Sequence, residues 1–234
     1  MAGVGLAGFS EAYNKSLYAL KTIALNRVLE KHRVDVHGKS VLDIGCGTGF
    51  FTEYYRSRGA RRICGVDITH VSVIRLRQKY PDCVFEIADI GGESKPFDET
   101  FHVVNVFDVL YHIIDDVRFE NAMRNISALT RHGGWIVITD VFGERDSSPA
   151  EHVRFRSLEK YRRTFVRNAL DRLGIFPLYY LMNRRLLLPP RLVSRFGLPL
   201  SLVDRMLQKL GVINGGNVKL LIARKREHDS KTTE

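Results

Sequence analysis

Three glycines at alternate positions, Gly45, Gly47 and Gly49, follow the apolar run Val41-Leu42-Asp43-Ile44. Lacking a Cβ, they allow a tight strand-to-helix turn whose main-chain N–H groups a ligand can approach closely. Two acids frame this turn. Asp43 stands two residues before the first glycine. Asp67 closes the next apolar run, Arg62-Ile63-Cys64-Gly65-Val66, where a ribose hydroxyl pair needs an acceptor. Together these residues predict binding of a nucleoside-like cofactor. The spacing departs from the dinucleotide fingerprint Gly-x-Gly-x-x-Gly, because Phe50 stands where that motif needs its last glycine.

Gly-x-Gly-x-Gly preceded by Asp43 resembles the first motif of class I S-adenosylmethionine-dependent methyltransferases, and the resemblance continues in order over about residues 40–142. Asp67 falls at the family's ribose-binding acid, and Ala88-Asp89-Ile90 at the strand end that holds the adenine. The run from Phe101 to Ile113 resembles the fourth motif, and Gly133 to Asp140 the strand after it. The resemblance implies S-adenosyl-L-methionine as cofactor and S-adenosyl-L-homocysteine as product. It places Asp43, Gly45, Cys46, Gly47, Gly49, Asp67, Ile68, Asp89, Ile90 and Phe107 around the cofactor. A narrower similarity to a bacterial group of small-molecule methyltransferases implies a sugar or sugar-like hydroxyl as acceptor. It rests on Tyr13-Asn14 with Tyr18, Asp108-Val109-Leu110-Tyr111-His112-Ile113, His152 with Arg156-Ser157-Leu158, and Pro177 through Asn183.

Methyl transfer from a sulfonium needs alignment and exclusion of water, and a hydroxyl acceptor also needs a base. The candidate catalytic residues are His112, Asp108 and Asp140. Histidine has a near-neutral intrinsic pKa suited to this work. Related small-molecule methyltransferases often carry a histidine at the position of His112, although a histidine at a strand-helix junction also serves as a cap or packs. Asp108 equally suits shaping the cofactor pocket. Tyr13, Tyr111, His152, Arg154 and Arg156 are the candidate acceptor-binding residues. The basic three can hold a phosphate or carboxylate, or simply form a solvated basic helix. Asp115-Asp116 reads as the acidic start of the next helix. No ligand spacing indicates a metal.

These residues must be positioned by alternating elements. Helical spacing predicts a helix over 10–31, and later helices near 49–58, 70–79, 117–130 and 154–173. Strands are expected at 40–44, 62–66, 84–88, 102–107 and 134–139. Such alternation implies an α/β, doubly wound sheet, with ligands outside the carboxyl ends of its strands. The resemblance implies a Rossmann-like seven-stranded sheet in three α/β/α layers, with a sixth strand at 175–182 and an antiparallel last strand at 217–224. A single domain over 1–234 is expected. It would comprise an N-terminal helical segment at 1–36, a cofactor-binding core at 37–145, and a substrate-side portion at 146–234. That last portion carries an Arg- and Leu-rich helical insertion at about 184–212, read as a lid, a substrate platform or a packing element.

The chain of 234 residues has a net charge of +10, placed unevenly. Residues 1–150 carry 18 Lys and Arg against 19 Asp and Glu, whereas residues 151–234 carry 18 against 7. This asymmetry favours an anionic partner. The expected partner is a small acceptor, anionic or lipid-linked, with homodimerisation open. Met1 to Ser10 lacks the pattern of a signal peptide, and no apolar run approaches the length of a membrane span. The three cysteines have no metal-ligand spacing, and a reduced cytoplasmic setting is expected. Two rivals stay open. One is a methyltransferase of RNA or another nucleic acid, which the basic last third favours. It lacks the Asn/Asp-Pro-Pro-aromatic loop of base amino-group methylation and any cysteine after Cys83. The other is a non-catalytic cofactor-binding partner subunit.

Overall fold

A computed structural model describes residues 9–183, 190–212 and 217–227. The chain divides into two compact units. One comprises 1–34 and 175–220, the other 35–174 and 221–234.

The larger unit alternates β1 (Ser40–Ile44), α2 (Phe50–Arg56), β2 (Arg62–Asp67), α3 (His70–Lys79), β3 (Val84–Ile87), β4 (Phe101–Val106), α4 (Asp116–Leu129) and β5 (Thr130–Asp140). These strands pair in parallel, with Leu42 opposite both Cys64 of β2 and Val104 of β4. Val41, Leu42, Val103 and Val104 are all buried. A parallel sheet covered on both faces requires such continuous apolar runs. A short 3₁₀ turn, Leu110–His112, follows β4, and a β-hairpin of β6 (Ser147–Ala150) and β7 (Val153–Phe155) precedes α5 (Leu158–Arg167).

The smaller unit contains α1 (Glu11–Lys31), α6 (Pro190–Arg195) and α7 (Gly197–Lys209), with α1 packed on α7. Ser10 caps α1, its hydroxyl accepting from the N–H of Tyr13 at 3.2 Å. The last strands, β8 (Leu170–Pro177) and β9 (Lys219–Lys225), complete a seven-stranded sheet in the order β3-β2-β1-β4-β5-β9-β8. Leu178 donates to Val218 and Asn217 to Tyr179, so one segment ascends as its neighbour descends and β9 runs antiparallel to β8.

The sequence predicts one long helix over 154–173, but the structure places β7 and α5 there. Ser157 sets the start of α5 by accepting from the N–H of Lys160. Ala169, in the left-handed conformation with φ 53°, ends it. The chain then becomes extended at Leu170, so β8 begins and ends earlier than the expected 175–182. Helices α6 and α7 fall within the expected insertion, while Arg184 and Arg185 lie outside the described residues.

Candidate active site

The glycine turn is fixed from below. Gly45 and Cys46 both donate to the carbonyl of Val66, at 2.8 and 3.1 Å. A Cβ on Gly45 would collide with the side chain of Val109, and Gly49 begins α2 at φ 82° with Leu76 Cδ2 2.6 Å from where its Cβ would lie. Beneath the turn, Asp43 is buried and accepts from Asn105 Nδ2 at 2.8 Å and Thr52 Oγ1 at 3.3 Å. It thereby ties β1 to β4 and α2. Burial pushes its carboxyl up to about 7, against the lowering effect of those two hydrogen bonds. Burial also raises the thiol of Cys46, so that side chain is an inert packing group.

A cavity of about 740 Å³ opens at the carboxyl ends of β1, β2, β3 and β4. Gly45, Asp67, Ile68, Asp89, Ile90, Asp108 and His112, all expected from the sequence, line it. Asp67 accepts from the N–H groups of Gly47 at 2.9 Å and Thr69 at 2.8 Å, one on each oxygen. A carboxylate has about four lone-pair positions, so each oxygen can also accept from a ligand hydroxyl. Ile68 is 70% exposed and Ile114 49%, placing apolar surface beside the acids. Asp89 accepts from Gly91 N–H at 2.8 Å and pairs with Arg118. Asp108, in the left-handed region at φ 59°, exchanges hydrogen bonds with Thr139. Its N–H donates at 2.8 Å, and Thr139 Oγ1 donates back to its carboxylate at 3.0 Å.

His112 sits on the 3₁₀ turn, under the β6–β7 hairpin. Its Nδ1 lies 3.3 Å from the carbonyl of His152, and the two imidazoles are near-parallel at 6.2 Å. A carbonyl oxygen can only accept, so a hydrogen bond here needs the proton on Nδ1, and the neutral imidazole then carries its lone pair on Nε2. Tyr111 packs edge-on to Phe155 at 5.5 Å, joining the turn to the hairpin a second time.

Other expected site residues lie elsewhere. Phe107 is buried edge-on to Phe51 at 4.4 Å, packing behind the turn. Asp140 is fully buried, accepting from Tyr161 Oη at 2.6 Å and from Val141 N–H at 2.6 Å. Burial raises its carboxyl to about 6, against those hydrogen bonds. It belongs to the core and does not line the cavity. Arg156, expected to meet an acceptor anion, is also fully buried. Its Nε donates to Asp116 at 3.1 Å, Nη1 to Leu110 O at 3.3 Å, and Nη2 to Ile113 O at 2.7 Å and Asp115 O at 3.1 Å. Arg154 donates to Asp116 at 2.9 Å and to Ile114 O at 3.3 Å. Asp116, more than a helix start, gathers Arg154, Arg156 and Lys160. Tyr13 is buried in the smaller unit, its hydroxyl accepting from Asn183 N–H at 3.1 Å. Arg118 also lines the cavity. Its pairing with Asp89 spans 29 positions, and no local pattern announces it.

A family model described as a methyltransferase domain matches residues 14–174. The tRNA U34 carboxymethyltransferase of Colwellia psychrerythraea is 28% identical over 123 residues, covering 51% of this chain and 37% of that protein. The ubiquinone biosynthesis O-methyltransferase of Pseudomonas fluorescens is 28% identical over 135 residues, covering 56% of each. The chain thus spans about half or less of the length of these curated relatives. The N-methyltransferase NodS of Bradyrhizobium japonicum WM9, solved with S-adenosyl-L-homocysteine, shares the fold. Its TM-score is 0.60 over 93% of this chain and 89% of that one, at 17% identity.

Proposed function

Because this chain belongs to the methyltransferase-domain family, whose class I fold uses S-adenosyl-L-methionine, we propose that it methylates a hydroxyl of a small sugar or sugar-like acceptor. His112 is the general base in this reading. The observation that carries it is His112 lining the strand-end cavity together with Asp67 and Asp89 while its Nδ1 is engaged by the His152 carbonyl. The residues suit the cofactor. Its volume is in the range of small-molecule sites. Asp67 has acceptor capacity for two ribose hydroxyls, Asp89 and Ile90 line the same cavity and would hold the adenine in this reading, and Gly45 admits close backbone approach. The cofactor supplies an activated methyl on a sulfonium. His112 Nε2 takes the acceptor's proton. An anionic acceptor has lost its support from Arg156 and Arg154, which are directed to Asp116 and main-chain carbonyls. The ubiquinone-pathway relative, by name an O-methyltransferase, supports a hydroxyl acceptor.

The test is calorimetric titration with S-adenosyl-L-methionine, S-adenosyl-L-homocysteine and NADH, followed by mass-spectrometric screening of sugars for methylation. Binding of the first two and not the third, with a methylated sugar, is expected. Binding of NADH alone would overturn the cofactor assignment. Methylation confined to RNA would overturn the acceptor. That second reading is favoured by the tRNA-modifying relative and the basic last third, and steep loss of RNA affinity with rising salt would mark it.

A further inference from the structure

Helix α7 is folded inside out. The face that it buries carries Gly197, Ser201, Asp204 and Gln208. The face left to solvent carries Leu198 at 69% exposure, Leu202 at 54%, Met206 at 56% and Leu210 at 68%, at successive intervals of four. The polar face has a structural reason. The carboxylate of Asp204 accepts from three consecutive main-chain N–H groups, those of Tyr180, Leu181 and Met182, at 3.1, 2.7 and 3.1 Å. Gln208 Nε2 donates to Leu178 O at 2.6 Å, and Gly197 lets the helix approach the ring of Tyr13. Nothing of that kind requires the leucines outside. Phe196 at 52% and Leu192 at 40% extend the apolar surface onto α6. A contiguous exposed stripe of this kind marks a binding surface.

The charges around it choose the occupant. Arg195, Arg205 and Lys209 are exposed on the same two helices. Between Asp171 and Glu227 the sequence holds a single acid, Asp204, and that one is buried beneath the helix. An apolar stripe flanked by long cationic side chains, on two helices whose single acid is the buried Asp204, is the pattern of a helix lying in the headgroup region of an anionic bilayer. We propose that α6 and α7 dock this chain onto an anionic lipid surface, the leucines and Met206 entering the acyl boundary while Arg195, Arg205 and Lys209 reach the headgroups. The proposal stands apart from the identity of the acceptor.

The test is co-sedimentation of the full chain with vesicles of phosphatidylcholine alone and of phosphatidylcholine mixed with phosphatidylglycerol, beside sedimentation velocity without lipid. Binding to the mixed vesicles only is expected. The double variants Leu202→Ser/Met206→Ser and Arg205→Gln/Lys209→Gln should each weaken it about tenfold or more. Both remove only exposed groups, and an unchanged thermal transition checks their folding. Equal binding by wild type and both variants would overturn the proposal. So would absence of vesicle binding together with a dimer that Leu202→Ser/Met206→Ser dissociates, which would assign the stripe to a second copy. Vesicle binding abolished by competing RNA but untouched by Leu202→Ser/Met206→Ser would assign the charge to nucleic acid and also overturn it.

Discussion

His112 and Asp67 divide the work of the cavity in a way that mutation can separate. Asp67 is held by two backbone N–H groups and offers its remaining lone pairs to ribose. Replacing it with Ala should weaken S-adenosyl-L-methionine binding by about 10–100-fold, the worth of hydrogen bonds to a charged group, as read by calorimetry. Unchanged affinity would remove Asp67 from the cofactor site. His112→Ala should leave that affinity nearly intact and lower kcat by about 10²–10⁴-fold, the usual contribution of a positioned base. Full turnover in that variant would end its candidacy. The split tests His112 specifically, since a general collapse of the cavity would lower both quantities together.

At the scale of elements, the hairpin and the 3₁₀ turn are joined by one buried cation. Arg156, which follows β7, donates to Asp116 and to the main-chain carbonyls of Leu110, Ile113, Ile114 and Asp115, and its guanidinium lies 4.0 Å from the ring centre of Phe119. Removing Arg156 takes a buried charged donor from the main-chain carbonyls around it, while the half-exposed Asp116 keeps Arg154 and Lys160. Arg156→Ala should therefore cost about 1–3 kcal/mol in urea unfolding, and Arg156→Lys should not rescue it, because an ammonium lacks the planar fork. Wild-type stability in Arg156→Lys would refute this account. Arg156 also shows why part of the site was illegible in the sequence. Its neighbours Arg154 and His152 suggested a ligand-facing cluster on a helix. The fold instead made strand at 153–155, a decision set by pairing with 147–150 that no local propensity records. The parallel strands and the glycine turn were legible because burial on both faces and positive φ leave few residue choices. Roles such as Arg118 pairing with Asp89, or the inverted face of α7, depend on contacts made only after the chain has closed.

Over the whole molecule, two buried carboxyls, Asp43 and Asp140, should shape how stability responds to pH. Burial raises the first to about 7 and the second to about 6, from an ordinary value of 3.8. The folded state thus holds protons that the unfolded chain has already released between about pH 4 and pH 7, and stability falls as pH rises through that window. The surface acids Asp82, Asp116 and Asp146 act oppositely. Asp82 is lowered by Arg56, while Asp116 and Asp146 are lowered by their cationic and hydrogen-bonding partners despite some burial. Their contribution is present above the ordinary carboxylate range and lost below it. Stability should accordingly peak on the acid side of neutrality. Asp43→Asn isolates the first group, since the amide oxygen still accepts from Asn105 but cannot ionise. Between about pH 5 and about pH 8 the wild-type Tm should fall further than that of Asp43→Asn. The corresponding free-energy difference is bounded at about 3 kcal/mol, since only about two units of the displacement lie above pH 5 at 1.36 kcal/mol per unit. Parallel Tm curves for the two proteins would show that Asp43 is ionised in the folded state throughout, and that its hydrogen bonds from Asn105 and Thr52 outweigh the desolvation of β1.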